Sequence, residues 1–190
     1  FVSKIKGIDE ISGMYFKAGE LKFKEETKFN FVIGMVPDKN EFLAESFGVH
    51  IEKGRSLKNG DQNKVVLGYS YQFPNKVFER ALVLGDKVDL NDVQFEVIGF
   101  YNEIGNPGDD ANIYIIEKRM EELYPEIVDK FSLVMIRASK SEDPQLLAEK
   151  IQEKLRKHLG QDEGKEDFFV QTFADAIATF TNVIAVINGV

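Results

Sequence analysis

From Lys87 to Asn102 apolar and polar residues alternate through "KVDL", break at Asn91-Asp92, and resume through "VQFEVIGFYN". A period of two sets Val93, Phe95, Val97 and Gly99 on one side of a strand. Gln94, Glu96, Ile98 and Phe100 then take the other. The Asn-Asp pair tolerates the positive φ of a tight turn, so the segment reads as a β-hairpin. Apolar residues on both sides near its end predict a strand covered on two faces. "KVVLG" (64–68) and "NIYII" (112–116) are shorter strands, the second leading into the helix "EKRMEEL". "YSYQFPNKVF" reads as a helical or turn segment.

Towards the N-terminus, "FVSKIKGIDEISGMYF" predicts a short helix, a glycine and a strand starting near Ile8 to Ile11. "GELKF" and "KFNFVIGMV" continue as a hairpin. In "PDKNEFLAESFGV", Asp38 is placed to cap a helix, with Glu41 three residues on as a capping box. Phe42, Leu43 and Phe47 would face the core, and Gly48 would end the helix before "VHIEKG". Towards the C-terminus, "FSLVMIRA" (131–138) reads as a strand. The helix "DPQLLAEKIQEKLRKHLG" has Asp143 as N-cap, Pro144 at its first position and Gly160 as its stop. Its apolar stripe is Leu147, Ile151, Leu155 and Leu159. "EDFFVQTF" returns as a strand.

Two β-α-β halves separated in sequence predict an α+β fold with a split ferredoxin-like layer built from the two ends of the chain. The expected division is residues 1–54 plus 129–175 for that layer, with 55–128 as a β-rich insertion.

The 43% apolar content and 16 Phe among 190 residues are those of a folded chain with a sizeable core. The net charge of −8, with basic residues scattered, supplies no phosphate-neutralising surface and excludes nucleic-acid binding. Without cysteine there is neither a disulfide nor thiolate chemistry. No signal peptide is visible, and a chain beginning at Phe1 without Met reads as a segment of a longer protein. No run reaches the roughly 18 to 20 apolar residues of a membrane span. Yet "AIATFTNVIAVINGV" (176–190) carries no charge. It fits equally a core-packing helix or a helix cut as it enters a bilayer.

Catalytic patterns are not found. "GYSYQ" (68–72) resembles a nucleophile elbow, but Gln72 stands where the second glycine belongs. His50 lies at a strand edge and is read as structural. His158 sits in the last turn of a helix, where a partly charged imidazole meets exposed carbonyls. Neither has a partner at metal-ligand spacing. The loops "NPGDDAN" and "GQDEGKED" lack the spacing of a calcium-binding EF-hand, leaving weak surface calcium binding as the minor alternative to a turn. No catalytic, cofactor-binding or metal-ligating residue is assigned.

The order of short motifs carries more. "IKGIDEISGMY", "FGVHIEKGRSL" with Gly54, Arg55 and Leu57 in register, "NKVVLGYS", "GDKVDLNDVQFEVIGFY", "NIYI" and "EDFFVQT" run from about Lys6 to Thr172. In that order they resemble the extracytoplasmic (periplasmic core) domain of MacB-like ABC transporter permeases; FtsX-like and LolC/LolE-like permeases share the arrangement. The resemblance implies a porter-like layer from the chain ends, a sabre-like insertion, and residues 176–190 starting a stalk or transmembrane helix. It also implies a domain outside the cell membrane that couples ATP-driven movement to export or client handling. Its partners would be an ABC ATPase subunit, a second permease copy, and a peptide, lipoprotein or other client. ATP would be hydrolysed elsewhere, so the domain itself is no enzyme. Arg55, Asn106, Asp109 and Asp110 are the candidate subunit or partner contacts, and Gly54, Gly68 and Gly99 are read as serving turns and close packing. The alternative is a soluble α+β small-molecule-binding or enzymatic domain with a pocket near Arg55, Asp109 and Asp110. A surface module with no transporter attached is a third reading.

Overall fold

The computed structural model describes residues 1–178. Its strands are β1 (Ile8–Phe23), β2 (Glu26–Met35), β3 (Ile51–Gly54), β4 (Lys64–Leu67), β5 (Lys87–Leu90), β6 (Val93–Tyr101), β7 (Ile113–Ile116) and β8 (Leu133–Ala138). Three α-helices join them: α1 (Asn40–Phe47), α2 (Glu117–Leu123) and α3 (Pro144–Leu159). The chain divides into two compact units, residues 12–135 and residues 1–11 with 136 onwards.

In the larger unit the hydrogen bonds lead from β1 to β2, β7, β4, β6, β5 and back to β1, a closed ring of six strands. Closure leaves no free edge in the ring and lets alternate residues fill its interior. Leu21, Val32, Val65, Leu67, Val88, Leu90, Phe95, Val97, Ile113 and Ile115 form one buried cluster. The intervening residues Ile33, Met35, Val66, Tyr114 and Ile116 form a second with Leu43 of α1, Leu57 and Tyr101. A period of two thus sorts the same strands into two cores. β7 belongs to both, and all four of its residues are buried.

The hairpin of β5 and β6 turns where expected, with Asn91 at φ 49° and Asp92 at φ 64°. α1 ends at left-handed Gly48, φ 66°, as anticipated.

Several expectations are corrected. The compact units do not divide at the expected bounds, 1–54 with 129–175 against an insertion 55–128. Residues 12–54 belong with the middle of the chain. The cause is a parallel pairing of Val32–Met35 with Ile113–Ile116. β1 is one strand of 16 residues. Gly13 and Gly19 stay inside it because neighbours fill the space of their missing side chains: an added Cβ would lie 2.4 Å from the Phe131 ring and 2.3 Å from Val32. Asp38 does not cap α1. A 3-10 turn over Pro37–Lys39 leads into the helix, and the Asp38 carboxylate accepts from Asn59 Nδ2 at 2.8 Å. Phe47 is 45% exposed.

The smaller unit holds the beginning of β1, the end of β8, and α3. The Asp143 carboxylate accepts from the Gln145 and Leu146 amides, and Gly160 closes α3 in the left-handed conformation. Ile5, Leu147 and Ile151 are its buried core, with Val2, Ile8, Ile136, Ala138 and Val170 against them. "EDFFVQT" alternates in exposure yet is not a strand. Its Val170 amide donates to the Gln152 side chain at 2.9 Å instead of to a neighbouring strand. Thr172 and Asp175 then cap each other's amides, and residues 173–178 are helical. Of the segment 176–190 expected to begin a stalk or membrane helix, 179–190 lie outside the described residues. Among the described residues no helix is long and apolar enough to cross a membrane.

Candidate functional site

β3 and β6 cross at a pair of glycines. A Cβ on Gly54, at φ 80°, would sit 2.2 Å from the Ile98 carbonyl oxygen, and one on Gly99 would sit 2.5 Å from the Arg55 carbonyl oxygen. Only glycine lets the two backbones approach so closely. The contact fixes where Arg55 leaves the strand, its amide donating to Ile98 O at 3.0 Å. The Arg55 guanidinium then turns back on its own loop. It donates to both Asp61 oxygens, at 2.7 and 3.0 Å, and to the Ser56 carbonyl at 3.0 Å. Lys58 N–H donates to the same carboxylate at 2.8 Å. The hydrogen bonds from Arg55 hold the Asp61 carboxyl below the usual carboxylate range. This fork closes the 55–61 loop, a use of Arg55 within the chain.

The second candidate region is the loop from Glu103 to Asn112. Asp109 and Asp110 are adjacent in sequence but separate in environment: Asp109 is exposed, and Asp110 is 5% exposed. The Asp110 carboxylate accepts from the Ile104 amide at 2.7 Å and the Gly105 amide at 3.2 Å. Asn106 Oδ1 accepts from the Gly108 amide at 3.0 Å, and its carbonyl takes the Asp110 amide at 2.8 Å. Gly68 supports the loop from below, where a Cβ would be 2.4 Å from the Asp110 carbonyl oxygen. The buried Tyr71 hydroxyl donates to Ala111 O at 2.9 Å and accepts from Asn30 Nδ2 at 3.0 Å. Burial pushes that phenol's pKa well up. The structure therefore brings Asn106 and Asp110 together as a loop clasp. Among the described residues no hydrogen bond or ion pair joins either to Arg55.

Asp61, Tyr71 and Glu96 are the residues that reading the sequence missed. Asn59-Gly60 marks a turn from which Asp61 could have been suspected. Nothing local marks Glu96, which meets Lys87 and, across a parallel strand pair, Lys64 at 2.9 Å. The two ammonium groups, Lys87 first, pull its carboxyl down to about 2. A depressed folded-state pKa stabilises above the unfolded value, about 4.3. That contribution is lost as pH falls from there through about 2. Urea midpoints should thus show Glu96→Gln less stable than the parent at pH 7, and the gap should close at acid pH.

His50 donates its backbone amide to Asn102 Oδ1 at 2.7 Å, while the His158 ring stacks on Phe1 with centroids 3.9 Å apart. Among the described residues no three His, Asp or Glu side chains converge as a metal site.

The ring of six strands, with a second unit built from the two ends of the chain, is the fold of a class of transporter domains that lie outside the cytoplasm. The extracellular domain of the noncanonical ABC-type transporter YknZ from Gram-positive bacteria superposes with a TM-score of 0.69 at 15% identity, over 90% of this chain and 85% of that one. The periplasmic region of MacB from Actinobacillus actinomycetemcomitans gives 0.67 at 19% identity, over 95% and 79%. The chain belongs to the MacB-like periplasmic core domain family, whose match spans residues 2–154. It is an extracytoplasmic domain of the ABC transporter permease kind. An uncharacterized ABC transporter permease of Methanocaldococcus jannaschii is 28% identical over 187 residues. That alignment takes in 98% of this chain and 45% of the relative, so the chain spans less than half of that protein.

Proposed function

We propose that the chain couples ATP-driven movement of a membrane permease to export, or to the handling of a client or partner outside the membrane. The observation carrying this reading is the family match over residues 2–154, joined to a fold in which residues 1–11 and 136–178 belong to the same compact unit. In a permease those ends would lead to membrane helices, so a displacement at one of them is delivered to the unit containing α3. That unit takes the porter-like role and the six-stranded ring the sabre-like role. ATP is hydrolysed by a separate ABC ATPase domain or subunit, and a second permease copy completes the assembly. Arg55 and the 103–110 loop are retained as contact regions. The first is a residue that shapes its own loop, and the second is the surface offered to a partner.

Protease accessibility in intact cells expressing the full-length chain tests this. Cleavage from outside that leaves a membrane-bound remainder is the expected result. Protection until lysis, with the chain in the soluble fraction, would overturn it.

A further inference from the structure

Between the 3-10 turn Tyr69–Gln72 and the 103–111 loop lies a groove of about 200 Å³, lined by Tyr69, Phe73, Lys76, Glu103, Pro107 and Asp110 among others. Its volume is below the roughly 300 to 1,000 Å³ of small-molecule sites. It suits a single extended side chain, of which arginine is one. The wall is aromatic, with the Tyr69 and Phe73 rings 4.8 Å apart at 55°.

Its charge is specific too. Two acidic residues, Glu103 and Asp110, line the groove with one basic residue, Lys76, which among the described residues pairs with neither. Asp110 is 5% exposed, and its carboxylate accepts two amide hydrogens. A carboxylate offers about four acceptor positions, so about two remain. A buried carboxylate without a cation is costly, and a cation that reaches it is correspondingly favoured. The surrounding field registers on Tyr69, whose hydroxyl pKa is raised by burial and then by Glu103, Glu52 and Asp110.

We propose that this groove receives an arginine side chain of a partner polypeptide, its guanidinium lying against Tyr69 and Phe73 and paired with Glu103 and Asp110. The planar guanidinium stacks on aromatic faces and is less strongly hydrated than an ammonium, which favours arginine over lysine. The partner is a different protein carrying a basic segment, because the acidic lining of the groove and the net charge of −8 favour a segment of the opposite sign over the like-charged surface of a second copy at this groove. This deepens the permease reading by naming the chemistry of the contact, and rests on it only in placing the partner outside the membrane.

The test is an NMR titration of the 190-residue chain with N-acetyl-arginine amide and, in parallel, its neutral isostere N-acetyl-citrulline amide. Arginine should shift the Ser70, Gly105 and Ala111 amides saturably, with citrulline about tenfold weaker. Tyr69→Ala should abolish the response, and Glu103→Gln, at an exposed position, should weaken it without changing the rest of the spectrum. Equal responses to both probes would overturn the proposal, as would shifts spread over the acidic surface or a response untouched by Glu103→Gln. Self-association that covers these amides would overturn it in favour of a second copy. The titration uses purified chain and the protease experiment uses cells, so the two ideas fail separately.

Discussion

Gly54→Ala should remove about 4 kcal/mol or more of unfolding free energy, or prevent folding. Two costs combine. The residue sits at φ 80°, where a Cβ meets the following carbonyl, and that Cβ would also lie 2.2 Å from Ile98 O. The second contact is with backbone in a paired strand, so no side-chain rotation relieves it. Gly85→Ala is the control: φ is 89°, but nothing lies within 4 Å of the added atom. It should cost about 1 to 2 kcal/mol, the conformational part alone. Urea unfolding of both variants separates the terms. A Gly54 variant as stable as the Gly85 variant would mean that the crossing of β3 and β6 is not as close as the structure places it.

The second large effect is Phe95→Ala, for which a loss of about 3 to 5 kcal/mol is expected. Phe95 is 0% exposed within the cluster that includes Leu67, Leu90 and Ile113, where truncation leaves a cavity that a closed ring cannot readily collapse. Phe29→Ala, the same substitution at a 70% exposed position on β2, should stay within about 0.5 kcal/mol. A comparable cost at the two positions would contradict the assignment of Phe29 to the outer face.

Both residues lie in alternating segments, which is why the sequence alone does not rank them. Alternation settles which residues share a face; it leaves open which face is covered. In β6 cover on both sides was legible from Ile98, but an irregularity in the pairing with Val65 and Val66 returns Phe100 to the cluster of Phe95 and Val97, a face that strict alternation did not give it. In β2 "KFNFVIGM" alternates over Lys28 to Phe31 and then runs apolar, so Phe29 and Phe31 look as much like core residues as Val32 and Ile33 do. Only the neighbours on β7 show that burial starts at Val32 and excludes Phe29 and Phe31.

The candidate site divides in the same way. Asn91-Asp92 and the glycines at 54, 68 and 99 were legible as turn or close-packing positions, since each reflects a local backbone requirement. The roles of Arg55 and Asp110 were not. Arg55 found its carboxylate six residues on and was used within its own loop, while Asp110 turned inward to hold Ile104 and Gly105. A side chain chooses between a partner in its own chain and one outside it by distances that a linear spacing does not contain.

By itself the sequence determined the strands β2 to β8, the three helices, the tight turn at Asn91-Asp92, the caps of α3 and, through an ordered series of motifs, the family. These depend on period, on propensity and on residues that satisfy nearby backbone groups. The tertiary structure alone decided that six strands close into a ring, that residues 12–54 fold with the middle of the chain, and that "EDFFVQT" stays out of the sheet. Those outcomes rest on pairings such as Val32 with Ile113, between segments far apart in the chain. Such pairings are selected by the burial they achieve together, which no single segment encodes.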